Sequence, residues 1–338
     1  MIKLSLIVPT YNRHKFLQKS IPTFINQSLA KDIYEILIID NNSIDDTKSI
    51  SKKLLSNFYG NWRYIFEKKQ GLHHARNRGI LESKGNIIVF GDDDIIASKR
   101  WLEHILKEFD TNVKAGVVGG KIIPIFMKSP PDWIYDHGTK KTHGIFAYLD
   151  YGNKKSVLNY ESLMGCNLAI RKDIAIKIGG SYPDTYPKNL KHLSGNGEGP
   201  MIQNAQKLGW QIVYLPEAYV HHHVDSKRLT LEYFIDRNER WAIEYSFHIF
   251  RNKNKLISSI ILLTRSFKVL SNAYLEYIFE SVKKFLNIKN KYKYNIKYYL
   301  TIKNSYSKEM LKQIIRIMTN KKLYQHITYK NYLDQINI

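Results

Sequence analysis

The residues with the most evident chemistry are three consecutive carboxylates, Asp92-Asp93-Asp94, which close the run Ile87-Ile88-Val89-Phe90-Gly91. That run has the length and β-branched content of a buried strand. Side chains alternate along a strand, so Asp92 and Asp94 point to one side and Asp93 to the other. Two carboxylates on one side of a strand end can hold a divalent cation, because Mg²⁺ typically takes one or two protein carboxylates plus substrate phosphate oxygens. A solvated acidic turn is the other reading that the three residues allow.

The elements around this cluster decide where it sits. Lys3 to Val8 reads as a buried strand that ends at Pro9, whose missing N–H cannot join a sheet. Helical spacing follows at Phe16, Leu17, Ile21, Phe24 and Ile25. Tyr34 to Ile39 is a second strand, and Ile50, Leu54, Leu55 and Phe58 a second helix. Trp62 to Phe66 is a third strand, and a short helix runs from the Gly71 region to about Lys84. Further along, the pattern predicts a helix over 98–109, one longer strand over 116–125, and strands over 165–171 and 211–215. Strand alternating with helix is the rhythm of a mostly parallel, Rossmann-like α/β sheet with helices on its faces. Ligands of such sheets sit beyond the carboxyl ends of the strands. The polar clusters at Pro9, Asp40 and Asp92 all follow strand ends, so one rim should collect them.

Several classes are disfavoured. No Gly-x-Gly-x-x-Gly follows the first strand and no Gly-x-x-x-x-Gly-Lys-Ser/Thr is present, against a dinucleotide-binding enzyme or a P-loop ATPase. Pro9-Thr10-Tyr11-Asn12 is not the glycine-rich basic loop of a sugar nucleotidyltransferase, which stands as the alternative enzyme. A single cysteine, Cys166, excludes internal disulfides and multi-cysteine metal sites and fits a reducing compartment. The first residues enter a strand pattern with no secretory signature, and the best apolar run in the tail, Leu256 to Leu263, is shorter than a bilayer span.

Of the 338 residues 43% are hydrophobic, enough for a full core. The net charge is +22, and +13 of it falls in residues 241–338. This change in charge sets an expected boundary between a domain over 1–240 and a basic, amphipathic helical extension over 241–338. An anionic membrane surface is a natural partner for such helices; a helical cap with a solvated Lys face is the other reading. Nucleic acid is not an expected partner, since no binding motif accompanies the basic residues.

Taken in order, the chain carries Val8-Pro9-Thr10-Tyr11-Asn12-Arg13, Ile39-Asp40-Asn41-Asn42-Ser43, Gly71 with Ala75-Arg76-Asn77, Phe90-Gly91-Asp92-Asp93-Asp94, Gly165-Cys166-Asn167, Gly197-Glu198, and Ala218-Tyr219-Val220 before three histidines. This series resembles the family 2 glycosyltransferases of the GT-A fold over about residues 3–240. The resemblance implies inverting transfer of a sugar from a UDP-, GDP- or dTDP-sugar to a glycan or lipid-linked acceptor, with Mg²⁺ or Mn²⁺ on the pyrophosphate. The single cysteine and the basic helical tail set the expectation of a cytoplasmic protein that can sit peripherally on the inner face of the cell membrane. By the resemblance, Asp94 is the direct metal ligand, Asp92 faces the metal or the ribose, and Asp93 supports either. Thr10 and Tyr11 belong to the base pocket, Asp40 accepts a hydrogen bond from the base, and Arg76 lies near the phosphates.

By the same resemblance His222, the middle histidine, ligates metal or contacts phosphate, and Glu198 is the acceptor's general base. The chain departs from the pattern twice. Asn41 replaces a second acid after Asp40, and Gly199 replaces the second acid of the family's Glu-Asp pair. The second departure leaves open another base, or a transferase fold that has lost its activity and serves as a membrane-binding protein.

Overall fold

The computed structural model describes residues 1–136, 144–159, 163–186, 188–286, 288 and 296–335. The first elements are β1 (Leu4–Thr10), α1 (His14–Ile25), β2 (Tyr34–Asp40), α2 (Thr47–Leu55), β3 (Asn61–Phe66), α3 (Leu72–Glu82) and β4 (Ile87–Gly91). Next come β5 (Ile95–Ala97), α4 (Trp101–Thr111), β6 (Ala115–Gly119), β7 (Ile122–Phe126), α5 (Trp133–Asp136), β8 (Ser156–Leu158), β9 (Asn167–Arg171) and α6 (Lys172–Lys177). The chain continues through α7 (Glu198–Lys207), β10 (Gln211–Tyr214) and β11 (Val220–Val224) into the helices α8 (Leu231–Asn252), α9 (Lys255–Phe285), α10 (Ile296–Thr319) and α11 (Lys321–Thr328).

Every residue of β1 and β2 is buried, as an apolar strand covered on both faces requires. β1 pairs in parallel with β2 and with β4, in a register that sets Thr10 opposite Asp40. The carboxyl ends of β1, β2 and β4 therefore share one rim. The main sheet runs β3-β2-β1-β4-β9-β6-β10-β8 and is mostly parallel, with β9 antiparallel between β4 and β6 and β8 antiparallel on the edge. A second sheet, β5-β11-β7, stands beside that rim.

The single strand expected over 116–125 is two strands in two sheets. Gly120 lies between them, so close to the neighbouring chain that a Cβ there would sit 1.8 Å from the Ala218 carbonyl oxygen. The chain turns at this contact, and Asn167 of β9 pins it by donating to the carbonyls of Ala218 (2.8 Å) and Lys121 (3.2 Å).

α8 runs unbroken across residue 240, so the change in charge falls inside a helix. Ala242, Ile243, Phe247 and Phe250 of α8 pack with Leu262, Met310, Ile317, Leu323 and Ile327 as a core separate from that of the sheet. The chain then returns: Tyr332 N–H donates to Gly179 O at 2.9 Å and Leu333 joins the core of the main sheet. The stretch 289–299, rich in Lys, Asn and Tyr and readable from sequence as a loop, lies outside the described residues up to 295, and α10 begins at Ile296. α9 is long and apolar enough to cross a bilayer by length and composition, because it joins Leu256–Leu263 to a second apolar stretch reaching Phe285.

Candidate active site

The rim is assembled by turns that reach from one strand end to the next. Asn12 takes a positive φ of 53° after β1, and its side-chain oxygen accepts from Ile44 N–H at 2.8 Å. Ser43 N–H donates to Asp40 Oδ1 at 2.9 Å, and the Tyr64 hydroxyl donates to Asp40 Oδ2. Asn41 carries the next loop: its Nδ2 donates to Lys69 O at 2.6 Å and its Oδ1 accepts from Gly71 N–H at 2.8 Å. Neutral Asn both donates and accepts here, which a carboxylate in its place would not do.

Two cavities open along this rim. One, of about 360 Å³, is lined by Thr10, Tyr11, Arg13 and Asn41 together with Asp92, Asp93 and Asp94. The other, of about 530 Å³, is lined by Arg76, Asp92, Asp184, Glu198, His222 and Arg237, among others. Asp92 and Arg228 line both, so the cavities meet there. Asp40 lies just behind the first cavity, with Asn41 at its surface.

The three aspartates have different partners. Asp93 turns inward, accepts from Thr10 Oγ1 at 2.8 Å and pairs with Arg13 Nε at 2.8 Å. Burial, opposed by Arg13, pushes its carboxyl up to about 7. Asp94 meets Arg13 Nη2 at 2.5 Å, and His222 Nε2 and Arg228 Nη2 at 3.4 Å each. Burial alone would raise it, but His222 and Arg13 outweigh burial and hold it well below the usual carboxylate range. Asp92 is raised by burial and by Asp94 against the pull of Arg76.

His222 arrives because β11 pairs antiparallel with β5, in register with Ile95, and His223 N–H donates to Asp94 O at 2.9 Å. Of the three histidines His222 alone is buried, as alternation along a strand dictates.

Arg76 is the hub of the larger cavity. Its guanidinium lies 2.9 Å from Asp184, and 3.5 Å from both Glu198 and Asp92. A Cβ on Gly165 would come within 2.4 Å of Nη2, so the glycine makes room for the buried arginine. Arg76 thus faces three carboxylates in the larger cavity. Arg13 and Arg228 are the cations that line the smaller one. Glu198 opens α7 and accepts from Gly165 N–H at 3.3 Å. Asp184 is pushed up to about 7 by burial and by Glu198, against Arg76.

Four site residues escaped the sequence reading. Arg13 ends the Val8–Arg13 stretch and Arg228 stands six residues past His222, and their charge was the available signal. Asp184 and Arg237 have no motif around them; only the fold brings them in.

Among the described residues no three His, Cys, Asp or Glu side chains converge as a metal site by themselves. The donor set still fits a Mg²⁺-like cation completed by phosphate oxygens. Asp92 Oδ1 and Asp94 Oδ1 are both buried without a hydrogen bond, facing Arg76 Nη2 at 3.5 Å and His222 Nε2 at 3.4 Å, and both carboxylates border the smaller cavity.

The sequence model described as glycosyl transferase family 2 matches residues 5–179. The chain belongs to that family. Glycosyltransferase AglE of Haloferax volcanii is 27% identical over 62% of this chain. A glucosyl-dolichyl phosphate glucuronosyltransferase of the same organism is 21% identical over 70% of this chain and 74% of its own length. This family 2 chain spans 64% of the length of AglE. The mannosyltransferase PcManGT of Pyrobaculum calidifontis, solved with GDP-Man and Mn²⁺, aligns over 94% of this chain and 88% of its own. Its TM-score is 0.58 at 14% identity, a likeness of fold: the GT-A sheet with added helices.

Proposed function

We propose that this family 2 transferase moves a sugar, with inversion, from a nucleoside-diphosphate sugar to a glycan or lipid-linked acceptor at the cytoplasmic face of a membrane. The observation that carries the proposal is the meeting of two cavities at Asp92 and Arg228. A nucleotide in the smaller cavity would bring its pyrophosphate to that junction and its sugar into the larger one. Thr10, Tyr11 and the Asp40–Asn41 turn would hold the base. Arg228, and not the enclosed Arg76, is the cation in position to pair with a phosphate oxygen. The lipid-linked acceptor class takes its support from the relative named for a dolichyl phosphate substrate.

Asp92 and Asp94 would hold the divalent cation, with His222 and Asp93 fixing the orientation of Asp94 and of Arg13. When bound, that cation adds positive charge where the departing diphosphate gathers negative charge. The remaining work belongs to side chains. Glu198 lies across the larger cavity and takes the acceptor hydroxyl's proton as that oxygen attacks the anomeric carbon from the face opposite the diphosphate. Arg76 holds Glu198 and Asp184 at fixed distances, so neither needs to reorganise during the attack.

Thermal melts with UDP-, GDP- and dTDP-sugars, with and without Mg²⁺ or Mn²⁺, test this reading. One nucleotide class should stabilise the protein only with the cation, by about 2.7 kcal/mol at one hundred times Kd. No shift with any nucleotide contradicts it, and a shift without turnover supports the fold that has lost its activity.

A further inference from the structure

α9 is built inside out. The side chains it buries are Ser258, Ser259, Leu262, Ser266, Ala273 and Glu280, mostly small or polar, with Val269 and Tyr277 part-buried on the same face. The side chains it turns outward include Leu256, Ile260, Phe267, Leu275, Phe279 and Phe285; Phe267 is 67% exposed, Leu275 65% and Phe285 88%. At helical spacing these fall on one broad stripe that runs the length of the 31-residue helix, roughly 45 Å at 1.5 Å per residue. A helix that only capped the catalytic domain would have the opposite arrangement.

The inner seam explains how such a helix is held. Ser266 Oγ and Ser307 Oγ are 2.5 Å apart, and each hydroxyl also donates to the other residue's carbonyl, at 3.1 and 2.9 Å. Close approach through small residues with hydroxyls bonded across the seam is how helices pack where no hydrophobic gain is available between them. The apolar residues are thereby left free to face something else.

Charge selects the occupant. Both acids of α9 are withdrawn from the outer stripe: Glu280 is buried and paired with Lys283 at 3.1 Å, and Glu276 is half-buried. Lys268 is exposed beside the stripe, and Lys253 and Lys284 are exposed near the two ends of the helix. An apolar stripe bordered by lysines and free of exposed acids complements an anionic lipid surface. A second copy of the same face would set lysines against lysines.

We propose that the outer face of α9 lies in the interface of an anionic bilayer, apolar residues inserted and lysines at the headgroups, so that the protein docks on a membrane along this helix. The proposal rests on the membrane setting above, but its readout is independent of sugar transfer. The helix lies in the membrane plane in this proposal, since its inner face packs on α8 and α10.

The test is flotation of the full chain with vesicles of phosphatidylcholine alone or with phosphatidylglycerol. Binding should favour the anionic vesicles, and fall as salt rises. The quadruple variant Ile260→Gln, Phe267→Gln, Leu275→Gln, Phe279→Gln should reduce binding by more than ~10-fold. Circular dichroism and donor-induced stabilisation should be unchanged. If the variant fails to fold, Lys268→Glu with Lys284→Glu supplies a milder change, expected to lower only anionic binding. A dye on Phe267→Cys should shift to the blue on anionic vesicles, because the natural cysteine, Cys166, is buried. Three outcomes overturn the proposal. They are no binding to either vesicle, retention after alkaline carbonate as a spanning helix shows, and a stable dimer dispersed by the quadruple variant with no lipid binding. Donor stabilisation that persists in any of these leaves the transferase reading standing.

Discussion

Asp94 concentrates the electrostatics of the rim: one carboxylate faces Arg13, His222 and Arg228, and among the described residues no other acid lining the cavities has three cationic or imidazole partners. Asp94→Ala should abolish cation-dependent nucleotide binding, read by calorimetry with and without Mn²⁺; wild-type affinity in the variant would remove Asp94 from the site. Glu198 is held differently, by a backbone N–H and the edge of one arginine. Glu198→Gln keeps that geometry and cannot take a proton. Donor affinity should stay within a factor of two or so while turnover falls by ~10²–10⁴. Near-normal turnover would pass the role to another acid, and Asp184, on the same Nη1 of that guanidinium, is the group to change next.

At the scale of elements, the apolar runs marked strands well, as at Phe90-Gly91, but β1 does not stop at Pro9: it runs on to Thr10, with Pro9 in register with Ile39 of β2. Strand direction was not legible. Nothing in Asn167-Leu168-Ala169-Ile170-Arg171 tells that β9 runs antiparallel, because a strand buried on both faces reads the same either way. The break between β6 and β7 was hidden for a similar reason. It depends on the approach of Ala218, almost a hundred residues away, to Gly120. Gly120→Ala would set a Cβ against that carbonyl, so it should destabilise the protein by ~1–3 kcal/mol or more and lower the melting temperature. An unchanged melt would mean that the turn relaxes freely. The candidate site follows the same division. Asp92 to Asp94 and Glu198 stand next to strand or helix ends, and His222 is the middle of a histidine run within β11. These can be read from sequence, whereas Asp184 and Arg237 join them through tertiary contacts alone.

At the scale of the whole molecule, α8 carries a half-buried ion pair where the catalytic sheet gives way to the helical extension. Arg237 and Glu244, one on each side of residue 240, are 3.7 Å apart at the back of the larger cavity. Burial, opposed by Arg237, pushes the Glu244 carboxyl up to about 8 from 4.5. A carboxyl raised on folding contributes stability that is full below its unfolded value and lost as pH rises through the folded one. The stability of the wild type relative to Glu244→Gln should therefore decline between about pH 4.5 and pH 8 and level off above it. Melts of both proteins across that range check the sign; a difference that does not change with pH would place Glu244 in contact with water.

The claim that joins these scales is that the two cavities hold the two halves of one sugar donor. It is tested most directly by a screen of nucleotide sugars for release of free nucleoside diphosphate, with Mg²⁺ or Mn²⁺ and with a chelator. The account predicts that at least one donor is split, that chelation stops the release, and that Glu198→Gln slows it without weakening donor binding. No release from any donor, or pyrophosphate formed from a sugar phosphate and a nucleoside triphosphate, would contradict it.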